Sequence, residues 1–155
     1  MATPQKITPF LWFNDQAEEA AKFYVTLFDD SKILSVMPGP QGKAMGVQFQ
    51  LAGIVFQALN GGPAHQLNEA FSLFVTCEDQ QEVDSLWARL TANGGQESRC
   101  GWLKDRFGLS WQIVPRRFME LVGDPDRTKA GRVMEAMLKM TKFDIAALER
   151  AYAGT

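Results

Sequence analysis

The sequence predicts an α+β fold in which a strand-helix-three-strand (βαβββ) unit is used twice and followed by a C-terminal helical extension. Three observations predict it. Asp15-Gln16-Ala17-Glu18 recurs as Asp79-Gln80-Gln81-Glu82, Phe23 falls on Trp87 at the same offset, and Phe56-Gln57 near the end of one half recurs as Trp111-Gln112 near the end of the other. Each tetrapeptide follows an apolar run of strand length and precedes apolar residues at helical spacing. Two such units, each with one face to cover, can bury it by packing side by side around a shared concave sheet. Residues 1–155 read as a single domain, with the first unit at 7–60, a linker at 61–70, the second unit at 71–115 and a helical tail at 116–155.

Ile7 to Phe13 opens the first unit as a strand covered on both sides, with Thr8, Phe10 and Trp12 on one face. Pro9 places part of it at an edge or bulge. Asp15 with Glu18 three residues later predicts a capping box, and Ala20, Phe23, Tyr24, Leu27 and Phe28 predict a helix to about Phe28. Three strand candidates follow, Lys32 to Met37, Ala44 to Leu51 and Ile54 to Asn60, separated by glycine-bearing turns. In the last of them Val55, Gln57 and Leu59 share a face, so an amide sits among apolar neighbours.

Asn60 to Asn68 is too rich in glycine, proline and asparagine for regular structure, and it carries His65, the sole histidine. A lone loop histidine reads as solvated. Phe71 to Cys77 restarts the order, with Ser72, Phe74 and Thr76 on one face, and Asp79 opens a second helix through Val83, Leu86, Trp87 and Leu90. Cys100 to Pro115 then forms a hairpin whose turn, Asp105 to Gly108, has an aspartate that can bond its own backbone and a glycine free to take φ > 0. Its second strand sets Ser110, Gln112 and Val114 opposite Trp111 and Ile113. In the tail, Asp124-Pro125 predicts a helix start, Val133, Met134, Met137, Leu138 and Met140 an apolar stripe, and Asp144 the cap of a last short helix.

Composition narrows the function. A net charge of −2 with scattered lysines and arginines offers no basic stripe for nucleic acid or an anionic membrane. Met1 to Lys6 lacks the apolar run of a signal peptide, and no stretch is apolar enough to span a bilayer, so the expected location is cytoplasmic. Two cysteines, Cys77 and Cys100, have no metal-binding or redox spacing and read as small buried residues. One histidine in a loop supplies no Ser/His/Asp set. Asp105 and Arg106 read as turn and surface residues rather than as acid and anchor.

With both repeats in view, the chain resembles the vicinal oxygen chelate superfamily, which includes glyoxalase I, bleomycin-resistance proteins and extradiol dioxygenases. More closely, it resembles the PhnB-like family often labelled 3-demethylubiquinone-9 3-methyltransferase. The residues that carry the resemblance are Ile7-Thr8-Pro9-Phe10-Leu11-Trp12-Phe13, Ala58-Leu59-Asn60-Gly61-Gly62-Pro63, Cys100 to Pro115 and Met140-Thr141-Lys142-Phe143-Asp144-Ile145. The resemblance implies a paired βαβββ fold of the glyoxalase/bleomycin-resistance type, a homodimer, and a small-molecule cavity inside each curved sheet.

Metal-dependent members of the superfamily place ligands, usually His and Glu, on the first and last strands of each unit. Those places fall here on Thr8, Gln57, Ser72 and Gln112. Neutral amide and hydroxyl oxygens are weak ligands for zinc, iron or nickel. No cofactor is therefore expected, and a divalent metal is disfavoured. The same four side chains suit the polar lining of a cavity walled by Phe10, Trp12, Leu59, Phe74 and Trp102, where an aromatic ligand would stack. The methyltransferase label lacks chemical support, because Asn60-Gly61-Gly62-Pro63 precedes a loop and not the helix of an S-adenosylmethionine cradle. Two alternatives stay open: a metal-dependent lyase, isomerase or dioxygenase, and a non-catalytic interaction protein using the Met-rich tail.

Overall fold

The computed structural model describes residues 5–155; Met1 to Pro4, the start of the segment read above as lacking a leader, lie outside them. The chain divides into two units, residues 1–67 and 68–155. Each contains one four-stranded sheet and the βαβββ order that the repeat predicts.

In the first unit β1 (Phe10–Phe13), α1 (Ala17–Tyr24), β2 (Lys32–Pro38), β3 (Ala44–Leu51) and β4 (Ile54–Asn60) form a sheet of order β1-β4-β3-β2. β1 is parallel to β4, and the other pairings are antiparallel. Alternation turns Leu11, Phe13, Val47, Phe49, Phe56 and Ala58 to one buried face. α1 covers it with Ala17, Ala20, Ala21 and Tyr24, a helical stripe whose three alanines let the backbone approach the sheet. Tyr24 then meets Phe49 at 6.3 Å, and Phe49 stacks on Phe56 at 5.4 Å.

Three details differ from the expectation. β1 begins at Phe10, since residues 7–9 carry no ladder beyond the bond from the Gln57 N–H to the Pro9 carbonyl. α1 has Gln16 at its cap position, with no side-chain cap from Asp15. Its first N–H, at Ala17, is instead bound at 2.8 Å by Asn60 Oδ1 from the end of β4, while Asn60 Nδ2 donates to the Ala44 carbonyl. α1 also stops at Tyr24; the Thr26 and Leu27 N–H groups continue as tighter turns, which suits a stretch containing Val25 and Thr26.

The second unit repeats the plan with β5 (Ser72–Cys77), α2 (Gln80–Thr91), β6 (Gln96–Glu97), β7 (Trp102–Lys104) and β8 (Ser110–Pro115), in the order β5-β8-β7-β6. Here the helix carries its own cap, as Asp79 Oδ1 accepts from the Glu82 N–H at 2.8 Å. Val83, Leu86, Trp87 and Leu90 are buried against the sheet, each aliphatic one contributing about 1.5–3 kcal/mol. Trp87 is the core aromatic, whereas Phe23, its counterpart by offset, is only half-buried and Tyr24 fills that role.

The tail contains three helices rather than the two expected: α3 (Arg116–Val122), α4 (Arg127–Leu138) and α5 (Ile145–Ala153). Asp126, not Asp124, caps α4, and Asp144 caps α5 as predicted. Val133 is buried, but Met134 and Leu138 of the predicted apolar stripe are exposed. The connection between α4 and α5 is tied to the hairpin: the Cys100 N–H donates to the Met140 carbonyl and the Gly101 N–H to that of Thr141, both at 2.8 Å. Gln80 clasps the next turn, with Nε2 donating to the Phe143 carbonyl at 2.9 Å and Oε1 accepting from the Ile145 N–H at 2.8 Å. Gly101, at φ +82°, leaves room for Phe143, whose ring would lie 2.4 Å from a Cβ there. Among the described residues no helix is long and apolar enough to cross a membrane.

Candidate functional site

The face of each sheet turned away from its helix collects the alternate residues. In the first unit the strand register sets Ser35, Gln48, Gln57 and Phe10 side by side across β2, β3, β4 and β1. Met37, Gly46, Leu59 and Trp12 form the adjacent row. Phe10, Ser35, Met37, Gln48, Gln57 and Leu59 line an open groove of 230 Å³ in which no side chain is charged. Phe10 is 57% exposed there, a large apolar surface on the groove.

Trp12 sits at the end of this face, where the chain leaving β4 packs on it. Its Nε1 donates to the Gly62 carbonyl at 2.9 Å, and its ring and that of His65 meet nearly perpendicular with centroids 4.8 Å apart. Gly61 is required by that contact, since a Cβ would fall 2.3 Å from the indole. His65 is exposed, as expected of a loop histidine. Thr8, half-buried ahead of β1, does not line the groove.

In the second unit Phe74, Gln112 and Trp102 form the row that corresponds to Phe10, Gln57 and Gln48. Ser72, Ser110, Lys104 and Gln96 form the next. Gln112 Nε2 donates to Ser72 Oγ at 3.0 Å. A groove of 350 Å³ along β6 and β7 is lined by Trp102, Lys104, Ser110, Glu69, Glu97 and Arg99, among others. Its charges are engaged. Lys104 Nζ lies 2.6 Å from Glu69, and that hydrogen bond holds the Glu69 carboxyl below the usual carboxylate range. Glu97 accepts from Trp87 Nε1 at 2.7 Å, and Arg99 donates to the Leu138 carbonyl. The Ser110 hydroxyl is buried and has no hydrogen-bond partner among the described residues.

Of the residues singled out in the sequence, Phe10, Gln57 and Leu59 thus meet in the first unit, and Ser72, Phe74, Trp102 and Gln112 neighbour one another in the second. Ser35, Gln48, Lys104 and Ser110 share these faces and were not singled out. Polar residues alternating with Val47, Phe49 and Trp111 were the available signal, but only register shows which of them become neighbours.

Asp105 holds the second face in shape from the other side of the sheet. Its Oδ1 accepts from the Phe107 and Leu109 N–H groups at 2.8 and 3.1 Å, and Oδ2 from Trp111 Nε1 at 2.8 Å. It is buried and fully engaged, so the turn reading stands over that of a reacting acid. Cys77 is buried, and desolvation first, then Glu82, pushes its thiol up to about 12, which leaves no thiolate to react. Cys100 is half-buried.

The donor set does not fit a tightly bound divalent cation. Thr8, Gln57, Ser72 and Gln112 offer only neutral oxygens, and Ser72 and Gln112 are bonded to each other. Among the described residues no three His, Cys, Asp or Glu side chains are grouped to hold a metal.

The family model described as 3-demethylubiquinone-9 3-methyltransferase matches residues 5–114. The Bacillus cereus PhnB protein is 33% identical, with a TM-score of 0.67 over 72% of this chain and 99% of its own. A Pseudomonas aeruginosa protein of 20% identity has the same fold at a TM-score of 0.60, over 72% of this chain and 98% of its own. No curated protein matches the chain. On the match over both sheets, the chain belongs to the 3-demethylubiquinone-9 3-methyltransferase family, to which its PhnB relative is also assigned.

Proposed function

We propose that this protein is a homodimer that binds a small organic molecule on the open faces of its sheets, without a resident divalent metal. One observation carries the reading: a carboxamide beside an exposed aromatic ring recurs at the same register of both sheets, Gln57 next to Phe10 and Gln112 next to Phe74. An apolar wall with a few placed hydrogen-bonding groups is the usual composition of a small-molecule site. The neutral donor set supports the metal-free part. Dimerisation is favoured by the resemblance and by exposed apolar side chains such as Met134 and Leu138.

The family description names a methyl transfer, and this chain's residues favour binding over that chemistry. The strand-to-helix connections, Asn14-Asp15-Gln16 and Glu78-Asp79, contain no glycine, and both sheets are mixed rather than doubly wound.

Native mass spectrometry of wild type, Gln57→Leu and Trp102→Ala, purified without chelator, tests the proposal. The expected spectrum is a metal-free dimer with an organic adduct that at least one variant loses while keeping its dimer mass. A divalent ion on each chain, a monomer mass, or an adduct retained by both variants overturns the corresponding part. Wild type with neither an adduct nor saturation transfer to millimolar phenol, indole or benzamide overturns binding itself.

A further inference from the structure

The groove of the first unit has a chemical character that its counterpart lacks. Gln48 and Gln57 are direct cross-strand partners, so their side chains leave the sheet side by side, about 4.5–5.5 Å apart at Cβ. Ser35 flanks Gln48, and Phe10 flanks Gln57. Neither carboxamide has a hydrogen-bond partner among the described residues. This is unlike Gln50, which donates to Asp30, Gln80, which clasps the tail, and Gln112, which donates to Ser72. Two adjacent carboxamides and a hydroxyl present donors and acceptors together, with no net charge.

The groove's lining contains no ionised side chain, so a charged ligand group would lose water there without gaining a counter-charge. Its volume of 230 Å³ lies below the roughly 300 Å³ at which pockets for drug-sized ligands begin, and suits a single ring. The ring has a surface to lie on, since Phe10 and Leu59 border the amides. The second unit differs at both points: Trp102 replaces the second amide, Gln112 is bonded to Ser72, and four charged side chains border the groove.

We infer that Ser35, Gln48 and Gln57 form a selective site in the first unit for an uncharged, planar, single-ring molecule carrying both a donor and an acceptor on its edge. Gln48 and Ser35 determine that selectivity. The inference rests on the binding function proposed above and narrows it to one ligand class on one sheet.

Benzamide, benzoate and benzylammonium share a ring and differ in charge, so they serve as probes at pH 7, with amide chemical shifts of ¹⁵N-labelled protein as the readout. Benzamide is expected to shift the Gln48 and Gln57 side-chain NH₂ signals and to bind at least 10-fold more tightly than either ion. Gln48→Leu should weaken benzamide about 10-fold. Gln48→Glu, nearly the same shape, should weaken benzamide and improve benzylammonium, and a preserved backbone spectrum shows that each variant is folded. Equal or tighter binding of benzoate by wild type overturns the inference, as does benzamide affinity unchanged in both variants. Shifts confined to Trp102 and Gln112 overturn this inference while leaving the general binding function standing; no shift on either sheet at 10 mM overturns both.

Discussion

The two units solve the same local problems with different residues, and the differences separate what the fold requires from what each sheet adds. In the first unit the helix is capped from across the sheet, by Asn60 at the end of β4. In the second the residue at that place is Pro115, which has no side-chain acceptor, and Asp79 caps the helix locally. The last hairpins diverge further. β3 and β4 are joined by Ala52-Gly53, a tight turn with φ of +47° and +84° whose two N–H groups donate to the Ser31 hydroxyl and the Asp30 carbonyl of an exposed neighbouring loop, each at 3.0 Å. β7 and β8 are joined through Asp105, a buried carboxylate with three N–H donors. A hairpin can thus be held by single bonds to an exposed neighbouring loop or by one buried polar hub, and the hub makes the second unit more sensitive to substitution.

Asp105→Ala should break the comparison most severely. It leaves three N–H groups without their acceptor, at a cost of about 3–5 kcal/mol, so urea denaturation should show the second unit melting far below the first. A single transition at the wild-type midpoint would mean that the hub carries little.

The two glycines that admit an aromatic ring give a smaller contrast. Gly101→Ala meets Phe143 at 2.4 Å and also strains a φ of +82°, so about 2–3 kcal/mol is expected. Gly61→Ala meets Trp12 at 2.3 Å without that strain and should cost about 1–2 kcal/mol, read by thermal denaturation. Equal losses would show that the backbone conformation at Gly101 is immaterial.

The helix caps give the smallest effect. Asn60→Ala and Asp79→Ala should each cost about 1 kcal/mol. Hydrogen exchange should place the first loss at Ala17 in α1 and the second at Glu82 in α2. Loss spread evenly through both units would refute the idea of separate caps.

Much of the fold was legible because strand alternation and helical spacing are local. β3 and β4 occupy the predicted residues, and β5 differs by one. What escaped was set by distant partners. Asp15 has the right spacing for a capping box, but Asn60 reaches Ala17 first. α3 starts directly after Pro115 with no side-chain cap, and it is held by Phe118 against Phe143, 25 residues onward and 4.9 Å away between ring centres. The candidate site shows the same division. The faces of Gln57 and Gln112 follow from alternation, whereas the pairing of Gln48 with Gln57 and of Lys104 with Ser110 depends on register, which the sequence does not print.

The clasp between Gln80 and residues 143–145 has a consequence for synthesis on the ribosome. Every strand and the helix of the first unit are present once residue 67 has emerged, so it can close while the remainder is still being translated. The second unit is not finished when its last strand has emerged. The N–H groups of Cys100 and Gly101 wait for Met140 and Thr141, and Gln80 waits more than sixty residues for both of its partners. A nascent chain stalled between these points would carry a finished first sheet and a second one whose hairpin and α2 still lack their tail partners, a state in which those groups are open to chaperones and to neighbouring chains.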